Sequence, residues 1–185
     1  GRFDSQIVPV SVPQRREEAI NVTEDEHPRD GTTVESLSTL STAFKKNGTV
    51  TAGNSAGIND AAAAVVVMSA ERAIAEGITP KLRWVARAAV GVDPAYMGIG
   101  PVPATNKVLE KTGMSLSDID VIELNEAFAA QALYVIRELG MDLERTNVNG
   151  SGISLGHPVG ATGAIMVVKL MEELRRQDSQ FGLVT

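Results

Sequence analysis

The chain has 185 residues, no cysteine, 43% hydrophobic residues and a net charge of −6, from 17 Lys plus Arg against 23 Asp plus Glu. The acidic balance argues against a general nucleic-acid surface, and the lack of cysteine excludes disulfides and thiolate metal sites. The longest strongly apolar run, residues 61–68, is far too short to span a bilayer, and the first residues lack the charged and apolar regions of a signal peptide.

Residues 1–47 are polar and irregular. Ile7-Val8-Pro9-Val10-Ser11-Val12 predicts an edge strand, since Pro9 cannot sit in a central one. Asp25, Glu26 and His27 read as a solvated loop, and Arg15-Arg16-Glu17-Glu18 as a surface. Over residues 33–44 the apolar positions Val34, Leu37, Leu40 and Phe44 are spaced for an amphipathic helix. Composition shifts at Gly48. The small apolar run 61–68 predicts a strand buried on both faces. A helix over 70–77 stops at glycine. A strand over 82–90 and a helix over 105–111, stopped by Gly113, follow. Then come a strand over 119–124, a helix over 127–139, a glycine-rich loop, a helix over 161–176 and a last strand at Leu183-Val184. Alternation of this kind predicts right-handed βαβ units in a mixed, mainly parallel sheet, an α/β fold.

Two segments stand out chemically. His157, one of two histidines, lies in Gly156-His157-Pro158-Val159-Gly160-Ala161-Thr162-Gly163, a loop that runs into a helix. Glycine permits a tight turn there, proline fixes the exit, and the helix N–H groups point back at the loop. An imidazole held in that setting suits chemistry in which charge develops on an oxygen. A histidine in a tight turn can also be merely structural. The second segment, Asn125-Glu126-Ala127-Phe128, follows the strand at its C-terminal end, where α/β sheets collect functional groups. Asn125 could cap the next helix or hold a water or a carbonyl oxygen. Gly48 to Gly53 has the glycine spacing of a phosphate loop, but Asn54 stands where such a loop needs lysine. His27 and His157 have no spacing suited to a shared metal.

An ordered set of motifs resembles the thiolases, coenzyme A-dependent acyltransferases that make or cleave 3-ketoacyl-CoA. The set comprises Gly48-Thr49-Val50-Thr51-Ala52-Gly53-Asn54, Gly91-Val92-Asp93-Pro94, Gly100-Pro101-Val102-Pro103-Ala104, Asn125-Glu126-Ala127-Phe128-Ala129-Ala130-Gln131-Ala132, Asn147-Val148-Asn149-Gly150 and Gly156-His157-Pro158. The resemblance implies the C-terminal half of a five-layered αβαβα fold over 48–185, preceded over 1–47 by the tail of a CoA-binding loop domain. Members use two cysteines, a nucleophile and an acid/base, and neither is present. A fragment is therefore expected, inactive by itself, whose partner is the missing N-terminal half of the same protein.

The resemblance also implies roles. His157 and Asn125 are the expected catalytic residues. Arg29, Ser36, Leu40, Phe44, Ala52, Ala56, Ile58 and Phe128 match positions that contact coenzyme A, which is a substrate; no metal or other cofactor is implied. Arg29 suits an adenine face or a phosphate, and Ser36 a base edge. Where the family has Asn-Ala-Ser-Gly, the chain has Asn54-Ser55-Ala56-Gly57, which displaces the pantetheine-contacting serine by one. Ser151-Gly152 stands where Gly-Ala is usual. A homodimer or homotetramer in the cytoplasm is expected, with an organelle left open. The alternatives are a ketoacyl-synthase-type condensing enzyme, a non-catalytic CoA-binding homologue and a structural proteolytic half.

Overall fold

A computed structural model describes all 185 residues. Near the start, β1 (Val10–Val12) pairs antiparallel with β2 (Ile20–Val22), Val10 opposite Val22, as a separate exposed ribbon. The predicted edge strand is thus real but shorter, and its partner carries too brief a pattern to be seen in sequence.

The helix expected over 33–44 is only α1 (Val34–Ser38). Its start is well specified, because the Thr33 and Ser36 side chains cap each other's backbone. Its end is set by hydroxyls: Ser38 Oγ donates to Glu35 O at 2.7 Å and Thr39 Oγ1 to Ser36 O at 2.8 Å. Such local bonds compete with continued helix. Leu40 and Phe44 consequently lie beyond it.

The predicted strands over 61–68 and 82–90 do not form ladders. Neither segment has regular secondary structure, and Val66 and Val67 are 87% and 75% exposed. A strand needs a neighbour to take its N–H and C=O groups, and these 185 residues provide none. Lysines instead reach in from α3 (Pro101–Thr112): Lys111 Nζ donates to Arg87 O at 3.0 Å. Between the two segments lies α2 (Ala70–Ala75), capped by Ser69.

The packed part follows Gly100. There β3 (Val121–Glu123) pairs in parallel with β4 (Gly182–Val184), and Ile122 makes a parallel bridge to Thr146 on its other edge. Side chains alternate across β3. Ile122 and Leu124 face α4 (Ala129–Leu139), packing with Ala132, Val135 and Met141. Val121 faces α6 (Thr162–Gln177), packing on Leu170 and Leu174. A short α5 (Gly152–Leu155) sits in the loop before α6. Helices α3 and α4 both end on a left-handed glycine, Gly113 and Gly140. The result is a mixed α/β unit in which helices flank a short parallel sheet.

Candidate functional site

Asn125 leaves the C-terminal end of β3, and both its neighbours are fixed. Asn147, in a left-handed conformation at φ 51°, uses its amide as a clamp. Its Oδ1 accepts from Leu124 N, and its Nδ2 donates to Leu124 O and to Glu126 Oε1, all at 2.8 Å. Ser151 Oγ donates to Leu124 O as well, at 2.8 Å. With Leu124 and Glu126 held, the Asn125 side chain has a defined direction.

His157 arrives from the other side. Gly156 adopts φ +91°, and a Cβ there would lie 2.6 Å from Asn59 Cγ, so only glycine fits. The His157 N–H is shared between Gly57 O at 2.9 Å and Asn59 Oδ1 at 3.3 Å. The imidazole meets Thr162 Oγ1 through Nδ1 at 2.7 Å and Asn125 Nδ2 through Nε2 at 3.3 Å. Thr162 donates its one hydroxyl proton to Pro158 O at 2.9 Å. Nδ1 must then carry the ring proton, and Nε2 presents a lone pair to the Asn125 amide. An imidazole with its Nε2 lone pair held this way is placed to take a proton from a neighbouring group. Asn125 Oδ1 is buried without a partner, so the amide retains unused hydrogen-bonding capacity. Beside the pair is a solvent-open depression lined by Asn59, Asp60, Pro158, Val159 and Gly160.

Two residues expected to be bland or overlooked join this site. Asp25 and Glu26 are exposed as expected, but the His27 side chain turns inward. It is half-buried, with Nε2 at 3.2 Å from Ile153 O and Nδ1 at 3.5 Å from Asn59 Nδ2. Thr162, five positions after His157, sets the tautomer. Its spacing at the start of a helix was the available signal, but only the fold puts its hydroxyl on Nδ1.

The residues expected to meet coenzyme A are partly assembled. Ala56 N donates to Ala127 O at 2.9 Å, and Ser55 bridges Phe128 antiparallel. Phe44 meets Phe128 edge-to-face, centroids 5.8 Å apart. Phe44, Ala56 and Phe128 therefore share one side of the site. Leu40 packs against Gly53, where a Cβ would lie 2.5 Å from Leu40 Cδ1. Arg29, Ser36, Ala52 and Ile58 are exposed, Ile58 at 95%. The Ser36 hydroxyl is already engaged in capping α1, donating to Thr33 O at 2.9 Å. Ser55 Oγ donates to Thr51 O at 2.7 Å and so points into its own loop.

The comparisons with known proteins decide the family. Residues 78–185 match the model of the thiolase C-terminal domain, and residues 1–71 that of the thiolase N-terminal domain. The chain belongs to the thiolase family. It is 54% identical over 185 residues to an acetyl-CoA acetyltransferase of Pseudomonas aeruginosa, matching all of this chain and 47% of that protein. Among solved structures it is similar to the Bacillus anthracis acetyl-CoA acetyltransferase, with a TM-score of 0.93 and 50% identity over 100% of this chain and 46% of that one. It is also similar to human mitochondrial 3-ketoacyl-CoA thiolase in complex with CoA, with a TM-score of 0.85 and 42% identity over 98% of this chain and 45% of that one. The chain has the thiolase fold and spans about half the length of these relatives.

Buried carboxylates complete the electrostatics of this thiolase unit. Burial pushes the Glu123 carboxyl up, against the pull of the Lys169 ammonium 2.8 Å away. The Arg176 guanidinium, with Asn149 and Gln177, instead holds Glu173 down at about 2.

Proposed function

We propose that this chain is part of an acyl-CoA acyltransferase that makes or cleaves 3-ketoacyl-CoA by ping-pong transfer. The observation that carries the reading is the 3.3 Å approach of Asn125 Nδ2 to His157 Nε2, two residues brought together from separate loops. In the cleavage direction of the proposed reaction, a cysteine outside this chain attacks the 3-keto carbonyl carbon of a 3-ketoacyl-CoA. The basic Nε2 of His157 takes the thiol proton. A C–S bond forms, the carbonyl electrons move to oxygen, and the protonated His157 ring, with a water held by Asn125, stabilises that charge. Collapse breaks the bond between that carbon and the α-carbon, leaving an acyl-cysteine. In cleavage the leaving carbanion takes its proton from a second cysteine, and coenzyme A then attacks the acyl-cysteine. Condensation is the reverse sequence, in which the second cysteine removes the α-proton.

Residues 1–47 act in this reading as the tail of a CoA-binding loop domain and 48–185 as the C-terminal half. Coenzyme A lies along Arg29, Ser36, Leu40, Phe44, Ala52, Ala56, Ile58 and Phe128. CoA in the human relative's structure supports that ligand. The half that completes the site comes from the rest of the same protein, in a cytoplasmic homodimer or homotetramer acting in fatty acid metabolism. The test is thiolysis of acetoacetyl-CoA by the full-length protein and by its His157→Ala and Asn125→Ala variants. Activity that falls in both supports the reading; turnover unchanged in both overturns it. Activity only with carrier-protein thioesters would select a ketoacyl synthase instead.

A further inference from the structure

The structure contains a buried ion pair that the reaction above does not use. Lys169 projects from α6 with its side chain 10% exposed, and Glu123 on β3 is wholly buried. The Lys169 ammonium donates to Glu123 Oε2 at 2.8 Å and to Gly150 O at 2.7 Å. These two acceptors belong to the two arms of the site. Glu123 is two positions before Asn125 on the strand that presents it. Gly150, at φ +83°, opens the turn that passes through Ser151 and α5 to His157. One ammonium thus spans the strand under Asn125 and the loop that carries His157. Lys169 supplies the Gly150 carbonyl with a donor from the helix that begins at the Thr162 partner of the imidazole.

We propose that Lys169 is a positioning residue: its bond to Gly150 O fixes the His157 loop against the Asn125 strand, while Glu123 holds the ammonium in place. This rests on the functional reading above. The prior arrangement of reacting groups is sensitive, and a shift of about 1 Å costs about 100-fold in rate. Glu123 Oε1 has no partner, so loss of Lys169 leaves a bare buried carboxylate and lowers stability for a reason unrelated to positioning. The two effects can be separated.

In the full-length protein, Lys169→Met should lower both the melting temperature and, by about 10- to 100-fold, kcat for acetoacetyl-CoA thiolysis, with KM little changed. Adding Glu123→Leu removes the orphaned charge, since apolar replacement of a buried pair is tolerated. The double variant should regain its melting temperature but not its kcat, because Gly150 O still lacks its donor. Amide hydrogen exchange at residues 152–157 should be faster than wild type in the double variant, with α3 and α4 unchanged. Recovery of kcat along with melting temperature would overturn the proposal, as would unaltered exchange at 152–157. A wild-type protein without thiolysis would overturn the functional reading alone, and the exchange result would still decide whether Lys169 holds the loop.

Discussion

The two ends of this chain are folded to different degrees. Of its 20 buried residues, Ala73 is the only one before Gly100. After Gly100, β3 is covered on both faces. Before it, Val65, Val66, Val67, Trp84 and Val85 are all exposed. The hydrophobic content is similar in kind, so what differs is the availability of partners. The contrast divides the site as well: the imidazole and its amide neighbour stand on the packed part, and most of the proposed CoA contacts on the open part. In the proposed reading the packed part holds the chemistry, and CoA recognition falls to segments with little cover.

The largest expected effect tests whether the packed half can act without the rest. The 185-residue chain alone should show no thiolysis of acetoacetyl-CoA, because no residue in it can replace a low-pKa thiolate; detectable turnover by the pure chain would refute this. Next, in the full-length protein, Asn125→Ala should reduce turnover by about 10²–10³, roughly 3–4 kcal/mol, the usual cost of one oxyanion donor. His157→Ala should cost more, since the same ring also takes the thiol proton. Neither should change the melting temperature much. The His157 ring bonds only side chains, Thr162 and Asn125, and its loop is held by backbone bonds to Gly57.

Stability measurements compare the regions directly. Ile122→Ala removes a side chain that is 1% exposed and should cost about 2–5 kcal/mol. Val66→Ala, at 87% exposure, should cost the isolated chain no more than about 0.5 kcal/mol. If the rest of the protein covers residues 61–68, the same Val66→Ala change should cost measurably more in the full-length protein. Equal costs in denaturant melts of both would show that this run remains open.

The packed half should also carry the acid sensitivity. Glu173 is held at about 2, below its ordinary 4.5. A carboxylate whose folded pKa is depressed stabilises the fold at pH above 4.5 and loses that contribution as pH falls toward 2. Glu173→Gln should therefore flatten the stability curve in that window. Glu123 has the opposite sign: its raised pKa means the folded state binds the proton more readily, so its contribution weakens as pH rises above 4.5.

The same division explains what the sequence reveals. Helices α3, α4 and α6 and strand β3 are legible because their signals are local: apolar patterning along each element, and for α3 and α4 a glycine at the stop. Residues 61–68 and 82–90 have strand composition, but a ladder depends on a neighbour no local pattern specifies. The end of α1 depends on Ser38 and Thr39 choosing carbonyls of the last turn over water. Asn125 and His157 were visible as motifs, while their 3.3 Å separation depends on the Asn147 clamp and on Gly156. Thr162, Asn59, His27 and Lys169 enter the site through contacts across 5 to 126 positions, beyond the reach of any periodicity.

The smallest expected effect lies where the two regions touch. The loop carrying Ala56 docks on Ala127 and Phe128 of the packed half. A serine at Ala56 would present a hydroxyl beside Phe128, toward the proposed pantetheine arm. Ser55 cannot supply it, because its own hydroxyl donates to Thr51 O at 2.7 Å. Ala56→Ser in the full-length protein should strengthen CoA binding by about 0.5–1.5 kcal/mol, the net worth of one hydrogen bond. Ser55→Ala should weaken the loop but leave CoA affinity unaltered, so only the first change is expected to alter CoA binding. A calorimetric titration in which Ala56→Ser binds CoA no better than wild type would place the pantetheine arm elsewhere.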